Sequence, residues 1–94
     1  MFVVLVQFNI KAEHLDAFVE RVEQQANDSL TFEDECHQFD VSLSNDDPNL
    51  VLLYEIYSDR EAFDAHLDSA HFRDFNAKVT PWVESKTLTT YEKR

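Results

Sequence analysis

Residues 50–72 join a strand-like run directly to the start of a helix, and this stretch restricts the fold more than any other. Residues 51–57 are apolar, β-branched or aromatic with Glu55 as the one charge, which is typical of a strand covered on both faces. Ser58 and Glu61 then have the spacing of a capping box, in which the serine hydroxyl accepts a backbone N–H of the first helical turn. One narrow face of the following helix carries Ala62, Phe63, His66 and Leu67. The stretch therefore predicts a buried strand that ends at a helix N-terminus.

The other patterns complete an alternation of strands and helices. Residues 2–10 alternate with a period of two, which predicts a strand with its even-numbered side chains in a core. The remaining predicted elements are a helix over residues 12–30, a strand over 36–43, a hairpin turn over 44–49, a helical piece over 71–79 that follows an N-cap at Ser69, and a last strand over 86–91. The order β-α-β-β-α-β predicts an α+β fold, in which an antiparallel four-stranded sheet has both helices on one face. A chain of 94 residues forms a single domain, 1–94.

The sheet face opposite the helices is predicted to be uncovered and largely apolar. We assign to this face Val3, Leu5, Val51 and Leu53, beside Gln7, Gln38, Asp40 and Glu55. An apolar area of this size is rarely left exposed to water, so we expect a homodimer that packs sheet against sheet. In this arrangement Glu55 points towards the partner and away from the helix that carries His66.

The charge balance excludes two classes of partner. The chain has 19 acidic and 8 basic residues, a net charge of −11. Nucleic acid and anionic membrane surfaces would be repelled, and no apolar run is long enough to cross a membrane.

A single cysteine, Cys36, cannot form an internal disulfide, which favours a cytoplasmic location. The chain contains no glycine, so tight turns are expected to use Asn and Asp in left-handed conformations.

Several short motifs resemble a known family in their order and spacing. They are Phe39-Asp40-Val41, Asp46-Asp47-Pro48-Asn49, Leu53-Tyr54-Glu55, Ala65-His66-Leu67 and Ser69-Ala70-His71-Phe72. Together they resemble the antibiotic biosynthesis monooxygenase (ABM) domain over nearly the whole chain. The resemblance implies a ferredoxin-like α+β sandwich that dimerises into an α+β barrel.

The activities that this resemblance implies are diverse. Some members are cofactor-free oxygenases of polycyclic phenols or quinols, some degrade haem, and one branch isomerises the phosphorylated autoinducer-2 signal. Residues 2–10, Ser29-Leu30 and residues 82–86 resemble that last branch and its quinol monooxygenase relatives most. Where many members have Pro-Gly-Cys before the second strand, this chain has Asp34-Glu35-Cys36, so we expect a different loop shape there.

His66, Glu55 and Tyr57 are the candidate catalytic residues. Histidine suits a general base because its ordinary pKa lies near neutrality, although His66 could instead tie a helix to the sheet. A buried Glu55 has a raised pKa or a structural partner, and Tyr57 is its polar neighbour. His71 lies about 140° from His66 on a continuous helix, so the two cannot share a metal unless the helix breaks at Ser69. We predict no metal site.

Five further residues are candidates for substrate binding. Asn9 and Ser29 offer hydrogen bonds to a ligand carbonyl, or cap their own elements. Phe72 and Trp82 offer aromatic surface, although such residues are more often part of a core. Lys86 is one of few cations that could meet a phosphate. No glycine-rich loop is present for a flavin, nicotinamide or nucleotide, so we predict no cofactor.

Three functions fit these observations. The first is a cofactor-independent monooxygenase of a small phenolic, quinol or enolisable substrate, with His66 as base. The second is an isomerase of a small phosphorylated dicarbonyl, which would need a lysine or arginine in the pocket. The third is a non-catalytic dimeric binding module. A pocket of a few hundred Å³ containing His66 would favour an enzyme, and a filled core with His66 bonded to backbone would favour the module.

Overall fold

The computed structural model describes all residues from Met1 to Arg94. Its elements are β1 (Phe2–Ile10), α1 (Leu15–Phe32), β2 (Cys36–Leu43), β3 (Leu50–Tyr57), α2 (Arg60–Asp68), α3 (Ala70–Val79) and β4 (Val83–Glu92), with short 3₁₀ turns at Ala12–His14 and Thr80–Trp82. The strands form one antiparallel sheet in the order β2-β3-β1-β4. The predicted α+β ferredoxin-like fold is confirmed. None of the helices is sufficiently long and apolar to cross a membrane.

The core lies between the sheet and the helices. As predicted, the even-numbered side chains of β1 are all buried there, from Phe2 to Ile10. The apolar stripe of α1 covers them, with Phe18 and Val22 completely buried, and the ring of Phe18 lies 5.1 Å from that of Phe8. The helices cover β1 and β3 more fully than β4, on which both Lys86 and Leu88 remain exposed. The sheet is therefore open along its β4 edge on the helix side.

The predicted orientation of β3 is wrong. Glu55 pairs with Val4, and Val51 pairs with Phe8, in the antiparallel register between β1 and β3. Directly opposed residues in a sheet point to the same face, so Val51, Leu53, Glu55 and Tyr57 face the helices. Both faces of β3 are apolar, and its sequence therefore contains no alternation that could show which face is which. Pairing with the strongly alternating β1 decides the orientation.

The helix that follows β3 begins one residue later than the capping box predicts. Asp59 is the N-cap, and its carboxylate accepts the Ala62 N–H at 2.8 Å. The hydroxyl of Ser58 instead bonds on the surface with His37, at 2.6 Å, and with Glu35. Asp accepts backbone N–H groups as well as Ser does, so two adjacent candidates compete and the surface contacts of Ser58 decide between them.

Ser69 divides the second helical region in two, as its N-cap pattern predicts. Its backbone is extended, with φ −70° and ψ 150°, so the helix cannot continue through it. The hydroxyl accepts the Phe72 N–H at 3.2 Å and donates to the His66 carbonyl at 2.7 Å. One side chain thus ends α2 and begins α3, and the change of direction brings His66 and His71 together.

The turns contain no left-handed residue, contrary to the expectation drawn from the absence of glycine. No residue has a positive φ. Between β2 and β3, Ser44 accepts the N–H groups of Asp46 and Asp47, and the Asp47 carboxylate accepts the Asn49 N–H. Side-chain acceptors therefore satisfy the turn backbone while every residue stays in ordinary conformational space.

Candidate active site

Four polar side chains are buried in an otherwise apolar core. Gln25 and Ser29 lie on α1, Glu55 on β3 and His66 on α2, each at most 3% exposed. Burying a polar group costs folding free energy unless the group is hydrogen-bonded. A cluster of such groups is therefore either a hydrogen-bonded network or a functional site that lowers stability. The partners of each group distinguish these two cases.

His66 is held by one of its ring nitrogens and not by the other. Its Nδ1 lies 2.8 Å from Oε2 of Glu33, while the Ser29 hydroxyl is at the limit of hydrogen bonding, 3.5 Å away. Nε2 makes no hydrogen bond to the protein, yet it is not among the buried, unpartnered side-chain atoms and so retains accessible surface. Nε2 is thus free to accept a proton.

Aromatic rings surround the His66 imidazole. The ring centroids lie between 5.0 and 6.1 Å from that of His66, and the rings belong to Phe39, Tyr57, Phe63 and Phe72. These walls exclude water from one side and fix the imidazole plane.

Glu55 and Tyr57 form a buried pair beside His66. The Tyr57 hydroxyl donates to Oε1 of Glu55 at 2.6 Å, and Oε2 of Glu55 has no protein partner. Burial raises the pKa of Glu55 above its ordinary value, only partly offset by the Tyr57 hydrogen bond and by attraction to His66. Burial, together with the Glu55 charge, also raises the pKa of Tyr57. Glu55 therefore keeps its proton to higher pH than an exposed glutamate does.

A small cavity connects these groups with the β4 edge. It has a free volume of about 30 Å³, enough for one water molecule and too little for a ring-bearing ligand. Its lining consists of Val6, Phe8, Gln25, Phe39, Leu53, Glu55, Phe63, His66, Leu67, Phe72, Phe75, Lys86 and Leu88. Leu67, Lys86 and Leu88 are exposed, so they form the mouth. The cavity is smaller than the pocket of a few hundred Å³ expected for an enzyme, yet it is not the filled core expected for a non-catalytic module. His66 bonds a carboxylate and not the backbone.

Several larger grooves lie on the surface, and two of them, on the outer side of α1, contain none of these groups. Their volumes are about 550 and 430 Å³. Both are open to solvent, and acidic side chains such as Glu20 line each of them. They offer no buried polar group around which a reaction could be arranged.

A second polar contact extends from His66 to the surface. Nε2 of His71 lies 2.9 Å from the same Glu33 oxygen but outside hydrogen-bonding geometry, so this contact is electrostatic. Nδ1 of His71 lies 3.1 Å from Nε2 of Gln25, and Gln25 also reaches the Ser29 hydroxyl at 3.3 Å. These contacts form a closed ring of five polar side chains, namely Gln25, Ser29, Glu33, His66 and His71.

The helix break at Ser69 removes the geometric argument against a shared metal. The rings of His66 and His71 lie 6.0 Å apart, with Glu33 against both. However, no three His, Cys, Asp or Glu side chains form a group that could hold a metal ion.

Most of the residues singled out from sequence lie together. His66, Glu55 and Ser29 belong to the buried cluster, and the Tyr57 hydroxyl bonds Glu55 within it. Phe72 and Lys86 line the cavity.

Two of them lie elsewhere. Asn9 is exposed on the sheet face opposite the helices, since it pairs with Leu50 and Ser85. Trp82 stacks on His14, with centroids 5.7 Å apart, and lines an outer groove with Arg21 and Lys78. Neither residue lines the cavity.

Glu33 and Gln25 belong to the ring of polar contacts around His66, and sequence reasoning missed both. Glu33 falls in a stretch that reads as a polar loop, and Gln25 lies among the polar residues of an amphipathic helix. One signal was available for Gln25, because Phe18, Val22, Gln25 and Ser29 follow one another at helical spacing. Nothing in the local sequence of Glu33 indicates its role.

The fold and the site define a class of protein, a ferredoxin-like α+β sandwich with a buried histidine and carboxylate in a small cavity that opens at the β4 edge of its sheet. More particularly, the chain belongs to the antibiotic biosynthesis monooxygenase family, whose model matches residues 1–78.

Solved structures agree with this assignment. The chain is 30% identical to a structure described as "Putative antibiotic biosynthesis monooxygenase from Nitrosomonas europaea", with a TM-score of 0.93 over 99% of this chain and 98% of that one. A protein from Shewanella oneidensis is 26% identical, with a TM-score of 0.91 over 98% and 89% of the two chains. Another antibiotic biosynthesis monooxygenase, at 22% identity and a TM-score of 0.91 over 100% and 99%, shows the fold alone.

A curated relative matches a smaller part of the chain. Over 49 residues, 52% of this chain, the sequence is 43% identical to a Fanconi-associated nuclease 1 homolog of Arabidopsis thaliana. The matched segment spans 6% of that protein's length. A match of this extent concerns the segment and not the activity of the larger protein.

Proposed function

We propose that this protein is a cofactor-independent monooxygenase of a small phenolic, quinol or enolisable substrate. The observation that carries the proposal is the free Nε2 of His66, accessible beside the buried Glu55 in a cavity with aromatic walls. Membership of a family named for monooxygenases supports it.

The chemistry needs a base, an electron-rich substrate and molecular oxygen. His66 removes the O–H proton, and the resulting anion supplies electrons to oxygen, which forms a bond to a ring or enol carbon. The peroxide then loses water as its O–O bond breaks, leaving a new carbonyl on the carbon that carried hydrogen. One oxygen atom enters the product and the other leaves as water, so a phenol and O₂ give a quinone and H₂O.

Glu55 and Tyr57 have a supporting role in this reaction. Because burial raises the pKa of Glu55, its carboxylic acid can donate a hydrogen bond to the oxygen on which negative charge develops. Tyr57 holds that acid in place through Oε1. Phe72 provides a flat wall for the ring, and Ser29 supports the His66 side chain from behind.

Substrate entry requires the cavity mouth to widen. The present free volume of about 30 Å³ accommodates one hydroxyl group but not a ring. Leu67 and Leu88 at the mouth are 39% and 43% exposed, so their side chains have room to rotate outwards. A substrate would place its hydroxyl where a water molecule fits and its ring between these side chains and Phe72.

Oxygen uptake with a panel of quinols and phenols tests the proposal. We expect substrate-dependent uptake, the appearance of quinone, and one ¹⁸O atom per product from ¹⁸O₂. His66→Gln should lower kcat/KM by about 10²–10⁴-fold, the usual contribution of a general base. His37→Gln, which changes an exposed histidine outside the cavity, is the matched control and should leave turnover unchanged. No uptake with any substrate, or equal rates in the two variants, would remove the assignment.

Lys86 favours a second candidate, isomerisation of a small phosphorylated dicarbonyl. Lys86 is the one cation that lines the cavity, and its Nζ lies 5.4 Å from the centre of the Phe8 ring. A phosphate at the mouth could bind it while His66 moves a proton between carbons, with no oxygen consumed. Lys86→Gln would then abolish turnover of the phosphorylated substrate, whereas quinol oxidation would persist. If neither activity occurs, the non-catalytic module is the remaining function.

A further inference from the structure

Glu33 occupies a position that helix stability does not explain. It follows the last residue of α1 as the C-cap, where the partial negative charge of the helix dipole disfavours a carboxylate. Its side chain is nevertheless only 15% exposed and turns inwards against two imidazoles. The carboxylate is therefore held by those imidazoles, against the preference of its own helix.

The hydrogen bond from His66 to Glu33 determines which ring nitrogen carries the proton. An ionised carboxylate only accepts, so the proton of neutral His66 must lie on Nδ1 and the lone pair on Nε2. In water the opposite tautomer is preferred. The Ser29 hydroxyl, at 3.5 Å, is too distant to fix this choice.

His71 lies against Glu33 on the other side, and Gln25 orients His71. The Gln25 amide donates to Nδ1 of His71, which places the His71 proton on Nε2, next to the Glu33 oxygen. A single carboxylate oxygen thus faces two imidazole N–H groups, one in a hydrogen bond and one in an electrostatic contact. The other ionisable groups around His66, namely Glu55, Tyr57 and Lys86, lie on the strands and leave Nδ1 to Glu33.

We propose that Glu33 is the positioning residue of His66, fixing the imidazole in the tautomer whose Nε2 lone pair is available to a substrate. The catalytic consequence of this tautomer rests on the proposed function. The assignment of the tautomer rests only on the contacts of His66 with Glu33.

Nitrogen-detected NMR of the histidine side chains tests the tautomer without any substrate. In the unaltered protein at neutral pH we expect the His66 proton on Nδ1 and the His71 proton on Nε2. Glu33→Ala should return His66 to the Nε2–H form that predominates in water. Glu33→Gln retains a carbonyl acceptor and should restore the Nδ1–H form, so this conservative variant separates orientation from charge.

Glu35→Ala is the matched control for these variants. Glu35 is an exposed carboxylate two residues further along, bonded to Ser58 on the surface, and its loss should leave the His66 tautomer unchanged. If Glu33 were only structural, the Glu33→Ala variant would be less stable but the proton on His66 would stay on Nδ1. A proton on Nε2 of His66 in the unaltered protein overturns the proposal, and this measurement needs no variant to fold.

Kinetics then separate this proposal from the proposed function. With an active substrate, Glu33→Ala should lower kcat by about 10–100-fold, typical for loss of a group that orients another, with recovery in Glu33→Gln. If NMR shows the expected tautomers but no substrate is turned over, the proposed function is contradicted and the positioning role of Glu33 is not. Turnover that falls equally in Glu33→Ala and Glu33→Gln would show that charge matters, and not orientation, and would overturn the positioning role.

Discussion

At the scale of single residues, the site depends on groups whose burial is unfavourable. Glu55 shows this most clearly, because its carboxyl is 3% exposed and only one of its oxygens is bonded. Cys36 is a second case, since burial, followed by the Glu33 charge, raises the pKa of its thiol to about 12. A thiol of this kind is not a nucleophile at neutral pH.

Glu55 should make the stability of the protein fall as pH rises. Its folded pKa lies above the ordinary value of 4.5, so between the two values the folded state binds more protons than the unfolded state. Its contribution to stability is complete below the ordinary value and is lost as pH rises through the folded value. Glu55→Gln should remove this dependence and raise the free energy of unfolding at pH 8 by about 1–3 kcal/mol.

Urea unfolding between pH 5 and 9 measures this effect. Glu84→Gln, at an exposed carboxylate on β4, serves as the control and should keep the pH dependence of the unaltered protein. A Glu55→Gln protein that is no more stable at pH 8 than the unaltered protein would argue that Glu55 is fully compensated in the fold.

At the scale of elements, the boundaries of α2 and α3 place the two histidines. Asp59 begins α2, Ser69 ends it and begins α3, and the Ser69 hydroxyl bonds both sides of the break. A continuous helix would have put His66 and His71 on different faces. The capping residues therefore determine whether the polar ring can form.

Asp59→Ala should destabilise the protein by about 1 kcal/mol, the usual cost of losing an N-cap. Ser58→Ala should cost less, because the Ser58 hydroxyl bonds surface side chains and caps no helix. Thermal unfolding of both variants distinguishes the cap found in the structure from the capping box that the sequence predicts. A larger loss in Ser58→Ala would restore the earlier interpretation.

At the scale of the whole molecule, no helix packs on the sheet face opposite α1, α2 and α3. The register places Val3, Leu5, Leu52, Tyr54 and Ile56 on this face. Val3 and Ile56 are buried within the protomer, while Leu5, Leu52 and Tyr54 are partly exposed, so the face is apolar even though Val51, Leu53 and Glu55 do not belong to it. We propose, as the sequence led us to expect, that two copies pack these faces together. The corrected register changes which residues make that contact and leaves Glu55 within one protomer.

Leu52→Glu should convert the proposed dimer into a monomer at micromolar concentration. A charge at a buried position of the proposed interface has no partner and must be desolvated, which costs several kcal/mol. Sedimentation equilibrium measures the change. Leu43→Glu is the matched control, because Leu43 lies at the sheet edge and is 54% exposed, and it should remain dimeric. A monomeric unaltered protein would refute the dimer.

The sequence by itself determined the order of elements, the face of β1 that enters the core, and a set of candidate site residues of which Glu55, His66, Phe72 and Lys86 line the cavity. Periodicity and turn chemistry are local, so β1, α1 and the break at Ser69 could be predicted from neighbouring residues. The motif spacing likewise predicted the family. His66 and Glu55 were predicted as site residues because a histidine or a carboxylate in an apolar run is costly and therefore conspicuous, and Tyr57 was predicted as the polar neighbour of Glu55.

Tertiary structure alone decided which way β3 faces and what surrounds His66. Two apolar faces give no alternation, so only pairing with β1 could turn Glu55 towards the helices and bring it beside His66. Glu33 lies 33 residues from His66 in the chain, and a polar residue after a helix has no local signature for a long-range contact. Register and long-range contacts depend on the packing of the whole chain, which is why the ring of contacts around His66 appears only in the folded molecule.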